Sequence, residues 1–254
     1  MDLLRTRFID LIDIEFHAKN GLNIHGFYKK TNSVGLTFKR ISCVHLKKIQ
    51  NLRMARLLLL KDLSSIKSIS SILSKIPAGE RATGPLLIKP NYQSDHFTEN
   101  VVDSSVFKIL SKIYSASESI IPLDDTRVLL PSSKSNSMRP DEIFTDCKSL
   151  ADKHNAIFLN AENIDISDDS WGVKIEHKRY GSTCLGGTFD RLHVAHKILI
   201  SEALLLAQKR IVIGIASGPL LEKKLLKELI EPIDKRVEAV RSESQILKRF
   251  CSAS

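Results

Sequence analysis

Ser182-Thr183-Cys184-Leu185-Gly186-Gly187-Thr188-Phe189-Asp190-Arg191-Leu192-His193-Val194-Ala195-His196 is a short β-prone run, broken by two glycines and followed by the start of a helical pattern. Apolar residues then recur at helical spacing from about His193 to Gln208, through Ile198, Leu199, Ala203, Leu204, Leu206 and Ala207. Arg210-Ile211-Val212-Ile213-Gly214-Ile215-Ala216 follows as a run typical of a parallel strand covered on both faces. Strand, glycine turn, helix and strand make a βαβ unit, so the expected fold from Tyr180 onward is an open α/β sheet of parallel strands.

In such a sheet ligands bind beyond the carboxyl ends of the strands, and the first βα turn offers backbone N–H groups and a helix N-terminus to a phosphate. Gly186 and Gly187 lie at that turn. Lacking Cβ atoms, they are expected to adopt unusual dihedrals and to let a charged ligand approach the backbone. Thr188 adds a hydroxyl for an attacking phosphate oxygen, and Asp190 is expected to fix the turn by bonding nearby amides. His193 and His196, three apart, project from one face of the helix beside its N-terminal dipole.

A glycine pair after a strand is common, and a histidine pair at this spacing also serves as a cap or a metal pair. The combination is far more specific. Phe189-Asp190-Arg191 stands where a dinucleotide fingerprint would continue to its third glycine, which disfavours an ordinary Rossmann dehydrogenase. No G-x-x-x-x-G-K-[ST] run occurs, which excludes a P-loop.

Beyond the βαβ unit, Gly218-Pro219 reads as a breaker, Leu221 to Leu229 as a short basic helix, and Asp234 to Phe250 as another helix. Upstream, the acidic and polar stretch 163–179 reads as a linker, with Trp171 available to pin it. Residues 83–162 read as a small α/β region: a helix over Val106 to Tyr114, a turn at Pro122 to Thr126, a strand at Arg127 to Leu130, and an exposed loop from Pro131 to Pro140. Residues 54–82 combine leucines, isoleucines, serines and spaced cations with few acids, which fits a targeting-like amphipathic helix over Met54 to Ser74 or the surface helix of a globular domain. Residues 1–53 show no sustained period and are left unassigned.

Bulk properties add bounds. The 254 residues, 43% of them hydrophobic, suffice for one large domain or two small ones. A net charge of +9 favours anionic partners without choosing among them. Cys43, Cys147, Cys184 and Cys251 contain no C-x-x-C pair, so neither a zinc site nor a disulfide framework is expected. Leu57 to Leu60 is flanked by Arg56 and Lys61, far short of the roughly 18 to 20 apolar residues a bilayer span needs.

Gly187-Thr188-Phe189-Asp190 followed by His193-x-x-His196 resembles the nucleotidylyltransferase signature, with Ala195 where the family usually has glycine. The longer form Gly186-Gly187-Thr188-Phe189-Asp190-Arg191-Leu192-His193-x-Ala195-His196 is similar to the phosphopantetheine adenylyltransferase region of eukaryotic coenzyme A synthases. The likeness continues through Ala216, Leu220-Leu221, Lys224-Leu225-Leu226, Glu228-Leu229-Ile230, Pro232 and Arg236-Val237-Glu238. The resemblance implies a Rossmann-like nucleotidyltransferase unit over 180–254. It implies attack by the phosphate of 4′-phosphopantetheine on ATP, with Mg²⁺ bound through the ATP phosphates, no metal ligand from the protein and no nucleic-acid partner.

Gly186, Gly187, Thr188, Phe189, Asp190 and His196 would then line the nucleotide. Thr188 would orient the nucleophile, and His196, helped by His193, would stabilise the α-phosphate and leaving group. Lys224, with Lys223 as the alternative, would supply the cation, and Arg236 would be a second phosphate contact. The family's I-S-S-T-x-x-R type motif has no counterpart after Arg236, so the unit is expected to be a truncated one, incomplete at its C-terminus and doubtful in activity. The expected location is the cytoplasm or the mitochondrion, including its membrane surface. The alternatives are a CTP-dependent nucleotidylyltransferase and a non-catalytic, membrane-associated or scaffold product.

Overall fold

The structure, a computed structural model, describes residues 9–15, 27–28, 39–40, 54–62, 64–77, 84–92, 96–122, 125–131, 140–160 and 175–248. Its strands are β1 (Ile9–Glu15), β2 (Phe27–Tyr28), β3 (Lys39–Arg40), β4 (Met54–Leu59), β5 (Leu86–Lys89), β6 (Val101–Asp103), β7 (Thr126–Val128), β8 (Pro140–Thr145), β9 (Ile157–Phe158), β10 (Glu176–Lys178), β11 (Tyr180–Gly187) and β12 (Ala207–Ala216). Its helices are α1 (Ser64–Lys67), α2 (Ile69–Leu73), α3 (Ser104–Ile120), α4 (Lys148–His154), α5 (Val194–Leu206), α6 (Pro219–Glu222) and α7 (Ile233–Lys248). Two compact units result. Met1–Lys47 and Tyr180–Ile246 form the glycine-turn unit, while Lys48–Arg179 and Leu247–Ser254 form the intervening unit.

In the glycine-turn unit, β11 and β12 pair in parallel from Thr183↔Ile211 to Gly187↔Ile215. The crossover is α5, as the βαβ pattern predicts. Ile200, Leu204 and Leu205 from α5 and Ile211, Ile213 and Ile215 from β12 are all buried. Thr183, facing the helix, donates its hydroxyl to the Ala203 carbonyl at 3.0 Å. The other edge of β12 is taken by β1, antiparallel, from Ile9↔Ala216 to Glu15↔Arg210. That strand lies in a stretch left unassigned by sequence, and its partner is two hundred residues away, where no local pattern announces it.

The intervening unit holds a five-stranded sheet in the order β7-β5-β4-β8-β9, every neighbouring pair parallel. The amphipathic helix expected over 54–82 is not what forms at its start. Met54–Leu59 is the central strand β4, and only the short α1 and α2 follow. A leucine run fits a buried helix or a buried strand equally, and the position between two parallel neighbours decides the matter. Arg56, expected on a polar helix face, is 3% exposed and donates Nη1 to the Pro77 carbonyl at 3.0 Å.

Asp103 caps α3 by accepting from the Ser105 amide at 2.7 Å, and Val106, Ile109, Leu110 and Ile113 form the buried stripe of that helix. The Val128 amide donates to the Tyr114 hydroxyl at 3.1 Å, which ties α3 to β7. The linker expected over 163–179 ends differently: Glu176–Lys178 pair antiparallel with Val101–Asp103, and Arg179 lies 4.5 Å from the Phe97 ring centroid. Trp171 and most of the Pro131 to Pro140 loop fall outside the described residues. Among the described residues no helix is long and apolar enough to cross a membrane.

Leu58 has no exposure on the central strand. Leu58→Ala should therefore cost about 2–5 kcal/mol through lost burial and the cavity left behind. The measurement is the urea unfolding midpoint, and an unchanged midpoint would contradict the placement of β4 in the core.

Candidate active site

β11 ends at Gly187, α5 begins at Val194, and the six residues between them carry the candidate chemistry. Gly186 and Gly187 lie within the strand, and neither has a positive φ. The unusual dihedrals expected of them fall instead on Phe189, at φ 51°, and Arg191, at φ 43°. Left-handed backbone at a side-chain-bearing residue costs on the order of 1–3 kcal/mol and persists only where the surroundings enforce it. The enforcement at Phe189 is burial, since its ring has no exposure. Gly187 makes that burial feasible: a Cβ there would sit 3.2 Å from Phe189 Cε2.

The two histidines meet as their spacing predicts. Their ring centroids are 3.9 Å apart with planes inclined by 36°, and the Phe189 ring backs His196 at 5.1 Å. His193 is also the N-cap residue of α5, in extended conformation and without a side-chain cap bond. Burial pushes the pKa of His196 below its usual 6.5, helped by the charges of His193 and Lys224 and opposed by Asp190. His196 is accordingly neutral at pH 7. Its Nδ1 is buried with no hydrogen-bond partner among the described residues.

Lys224 reaches back to this turn and donates to the Thr188 hydroxyl at 2.5 Å. The basic helix expected over Leu221 to Leu229 does not form. α6 covers Pro219–Glu222, Leu226 turns left-handed at φ 56°, and a single 3₁₀ turn spans Lys227–Leu229. Leu225, Leu226 and Leu229 are 91%, 57% and 58% exposed, so the segment has no buried stripe to sustain a helix. An irregular loop lets Lys224 reach Thr188.

Three side chains fasten this loop. Asp190 accepts from the Glu231 amide at 2.8 Å, a distant partner and not the nearby amides expected of it. Arg191 pairs with Asp190 at 2.8 Å and donates to the Leu229 carbonyl at 2.9 Å. Arg236, expected to be a phosphate contact, is 2% exposed and gives its guanidinium to carbonyls of Glu231 (2.8 Å), Thr188 (2.7 Å) and Ala216 (2.9 Å). It is a clamp under the site. Glu238, two residues on, pairs with Arg241 at 2.9 Å.

The signal for the clamp was present in the helical period: Arg236, Val240, Ser244 and Leu247 are all buried, one face of α7 with Arg236 at its head. Arg191 was missed as a tether because an exposed arginine in a turn has no pattern that marks its partner.

Residues 184–251 match the cytidylyltransferase-like family. The chain is 40% identical to the phosphopantetheine adenylyltransferase of Saccharomyces cerevisiae over 96 residues, 38% of this chain and 31% of that protein. It is 35% identical over 111 residues to an uncharacterized protein of Schizosaccharomyces pombe, covering 44% of this chain and 31% of that one. It is 43% identical over 63 residues to the phosphopantetheine adenylyltransferase of Methanopyrus kandleri, covering 25% and 39%. The chain thus spans about a third of the length of the curated relatives it matches. No solved structure matches it. Residues 184–251 are thus similar to cytidylyltransferase-like proteins, and this part of the chain resembles phosphopantetheine adenylyltransferases.

Replacing Arg236 by glutamine removes the guanidinium from part-buried carbonyls on three segments, and each hydrogen bond lost to a charged group costs about 1.5–3 kcal/mol. Arg236→Gln should therefore lower thermal stability and speed hydrogen exchange across 217–232 more than in α5. Uniform exchange throughout the unit would deny the clamp its local role.

Proposed function

We propose that the glycine-turn unit transfers an adenylyl group from ATP to the phosphate of 4′-phosphopantetheine, giving dephospho-coenzyme A and pyrophosphate. The observation that carries this reading is the Lys224 ammonium on the Thr188 hydroxyl, beside two imidazoles 3.9 Å apart at the end of a parallel strand. The relatives named phosphopantetheine adenylyltransferase support the choice of substrates.

In the proposed step a phosphate oxygen of phosphopantetheine bonds to the α-phosphorus of ATP. The bond from that phosphorus to the bridging oxygen breaks, and pyrophosphate leaves with the electron pair. Nothing is required of the protein covalently; its task is positioning and neutralising charge. Thr188 would orient the attacking phosphate, and Lys224, already aimed at that hydroxyl, would bring a positive charge to the same oxygens. His196 would donate to the α-phosphate and leaving group, with His193 stacked against it to hold its orientation.

Lysine and imidazole nitrogens suit phosphate oxygens better than a hard cation, and among the described residues no group of three His, Cys, Asp or Glu side chains is placed to hold a metal. Mg²⁺ therefore fits as an ion carried on the ATP phosphates, where it would neutralise their charge.

Release of pyrophosphate from ATP and 4′-phosphopantetheine by the purified protein tests the reading, with CTP as the control nucleotide. His196→Ala and Lys224→Met should each slow release by about 100-fold or more, the usual cost of removing a donor aimed at developing charge. Activity with CTP in place of ATP, or variants that retain full rate, would overturn the assignment.

The lowered pKa of His196 adds a dependence on pH. Burial holds the pKa of His196 in the free protein below its usual 6.5, and a bound triphosphate would stabilise its protonated form, so binding would raise its pKa and take up a proton. ATP affinity should rise as pH falls from 7.5 toward 6, and calorimetry in buffers of different ionisation enthalpy should register the uptake. His196→Ala should abolish it.

A further inference from the structure

β4, β5, β7, β8 and β9 come in that order along the chain, with β6 of another sheet between β5 and β7, yet across the sheet their order is β7-β5-β4-β8-β9. Counted from β4, that order is 3-2-1-4-5, and the winding reverses between β4 and β8. At such a reversal the loops leaving the carboxyl ends of the two strands diverge to opposite faces and open a crevice, the general ligand position of open parallel sheets.

Polar groups from three loops converge there. Past β4, the Lys61 amide donates to Asp146 Oδ1 at 2.9 Å, and the Ser65 hydroxyl donates to Asp146 Oδ2, just past β8. Asn91, past β5, donates its side-chain amide to the Lys61 carbonyl at 2.8 Å. The rim is thus built without any ligand, from both backbone groups of Lys61 and both carboxylate oxygens of Asp146. The Lys61 side chain stays outside this network, 61% exposed, with Asp62 at 3.8 Å. Its charge reaches the next loop. The Cys147 thiol is held below its usual pKa first by its hydrogen bond with Ser149, and Lys61 adds the smallest share.

An aromatic residue lies on the strand beyond β8, Phe158 of β9. Leu59 pairs with Thr145, and Thr145 with Phe158, so Phe158 and the end of β4 are two strand spacings apart, about 10 Å. Phe158 is 37% exposed, and Lys148 Nζ lies 5.7 Å from its ring centroid. A ring beside one cation, and a second ammonium on the strand end two spacings away, match the two ends of a nucleotide: a base to stack and a phosphate to pair. The Lys61 charge is partly offset by Asp62 at 3.8 Å, a balance that suits one phosphate better than a triphosphate chain.

We propose that the crevice between β4 and β8 is a second ligand site, which takes a nucleoside monophosphate with its phosphate at Lys61 and its base against Phe158. The site stands independently of adenylyl transfer in the other unit.

The test uses the full chain carrying His196→Ala and Lys224→Ala, which disables the candidate active site, titrated with AMP in a calorimeter. One equivalent should bind. Adding Lys61→Gln should weaken that binding about ten-fold or more, the scale of one charge-assisted phosphate contact, without moving the melting temperature, because the side chain is exposed. Adding Phe158→Ala should weaken it about five-fold or more through lost stacking, and inorganic phosphate should bind less tightly than AMP. Absence of AMP binding in the disabled background, or binding indifferent to both Lys61→Gln and Phe158→Ala, would overturn the proposal.

Discussion

A guanidinium with almost no access to water has to spend its donors on the chain around it, and Arg236 spends them on Thr188, Ala216 and Glu231. Those carbonyls belong to the turn after β11, the end of β12 and the approach to α7. The parallel register of β11 and β12 brings the first two to the same level, and Arg236 draws the third to them. The rest of the candidate site follows from that closure. With Glu231 held from both sides, by Asp190 on its amide and Arg236 on its carbonyl, the loop before it has a fixed end, and Lys224 can settle on Thr188. A cation expected to touch the substrate instead supports the frame that another cation works from.

Much of this frame was legible in the chain. The change of hydrophobic period around Gly186-Gly187 predicts the strand, turn and helix, and the three-residue spacing of His193 and His196 predicts their meeting, because both rest on local geometry. The glycines were harder. Composition says where a Cβ is excluded, and Gly187 does make room for the Phe189 ring, but it does not say which residue will carry the strained φ. Met54–Leu59 was illegible for another reason. Its leucines satisfy a buried helix and a buried strand alike, and only strands supplied from 86–89 and 140–145 decide between them. Arg236 shows the bias of reading cations near an anionic site as contacts, when helical period placed it on the buried face of α7.

Both units rest on parallel strands, but they place polar groups at the strand ends by different means. In the glycine-turn unit a single βα turn gathers the hydroxyl and the imidazoles, and a loop from elsewhere delivers the ammonium. In the intervening unit the rim is assembled from three loops, with Asp146 accepting from the Lys61 amide and the Ser65 hydroxyl and leaving the Lys61 ammonium outside the network. A rim that satisfies itself is stiff in the absence of ligand, which lowers the entropy lost on ordering it.

The pairing of β1 with β12 also governs how the molecule is made. Ile9 and Ala216 are partners across more than two hundred residues, so the N-terminal strand of this sheet leaves the ribosome long before the edge it must join. Until then its backbone groups are an open template for other chains. The intervening sheet, whose strands all lie between Met54 and Phe158, can be completed in the meantime. Once compact, it turns a long flexible loop into a short effective one and lowers the entropy of the final closure. Synthesis order thus makes the early strand wait for β12, by which time the insert can already be folded.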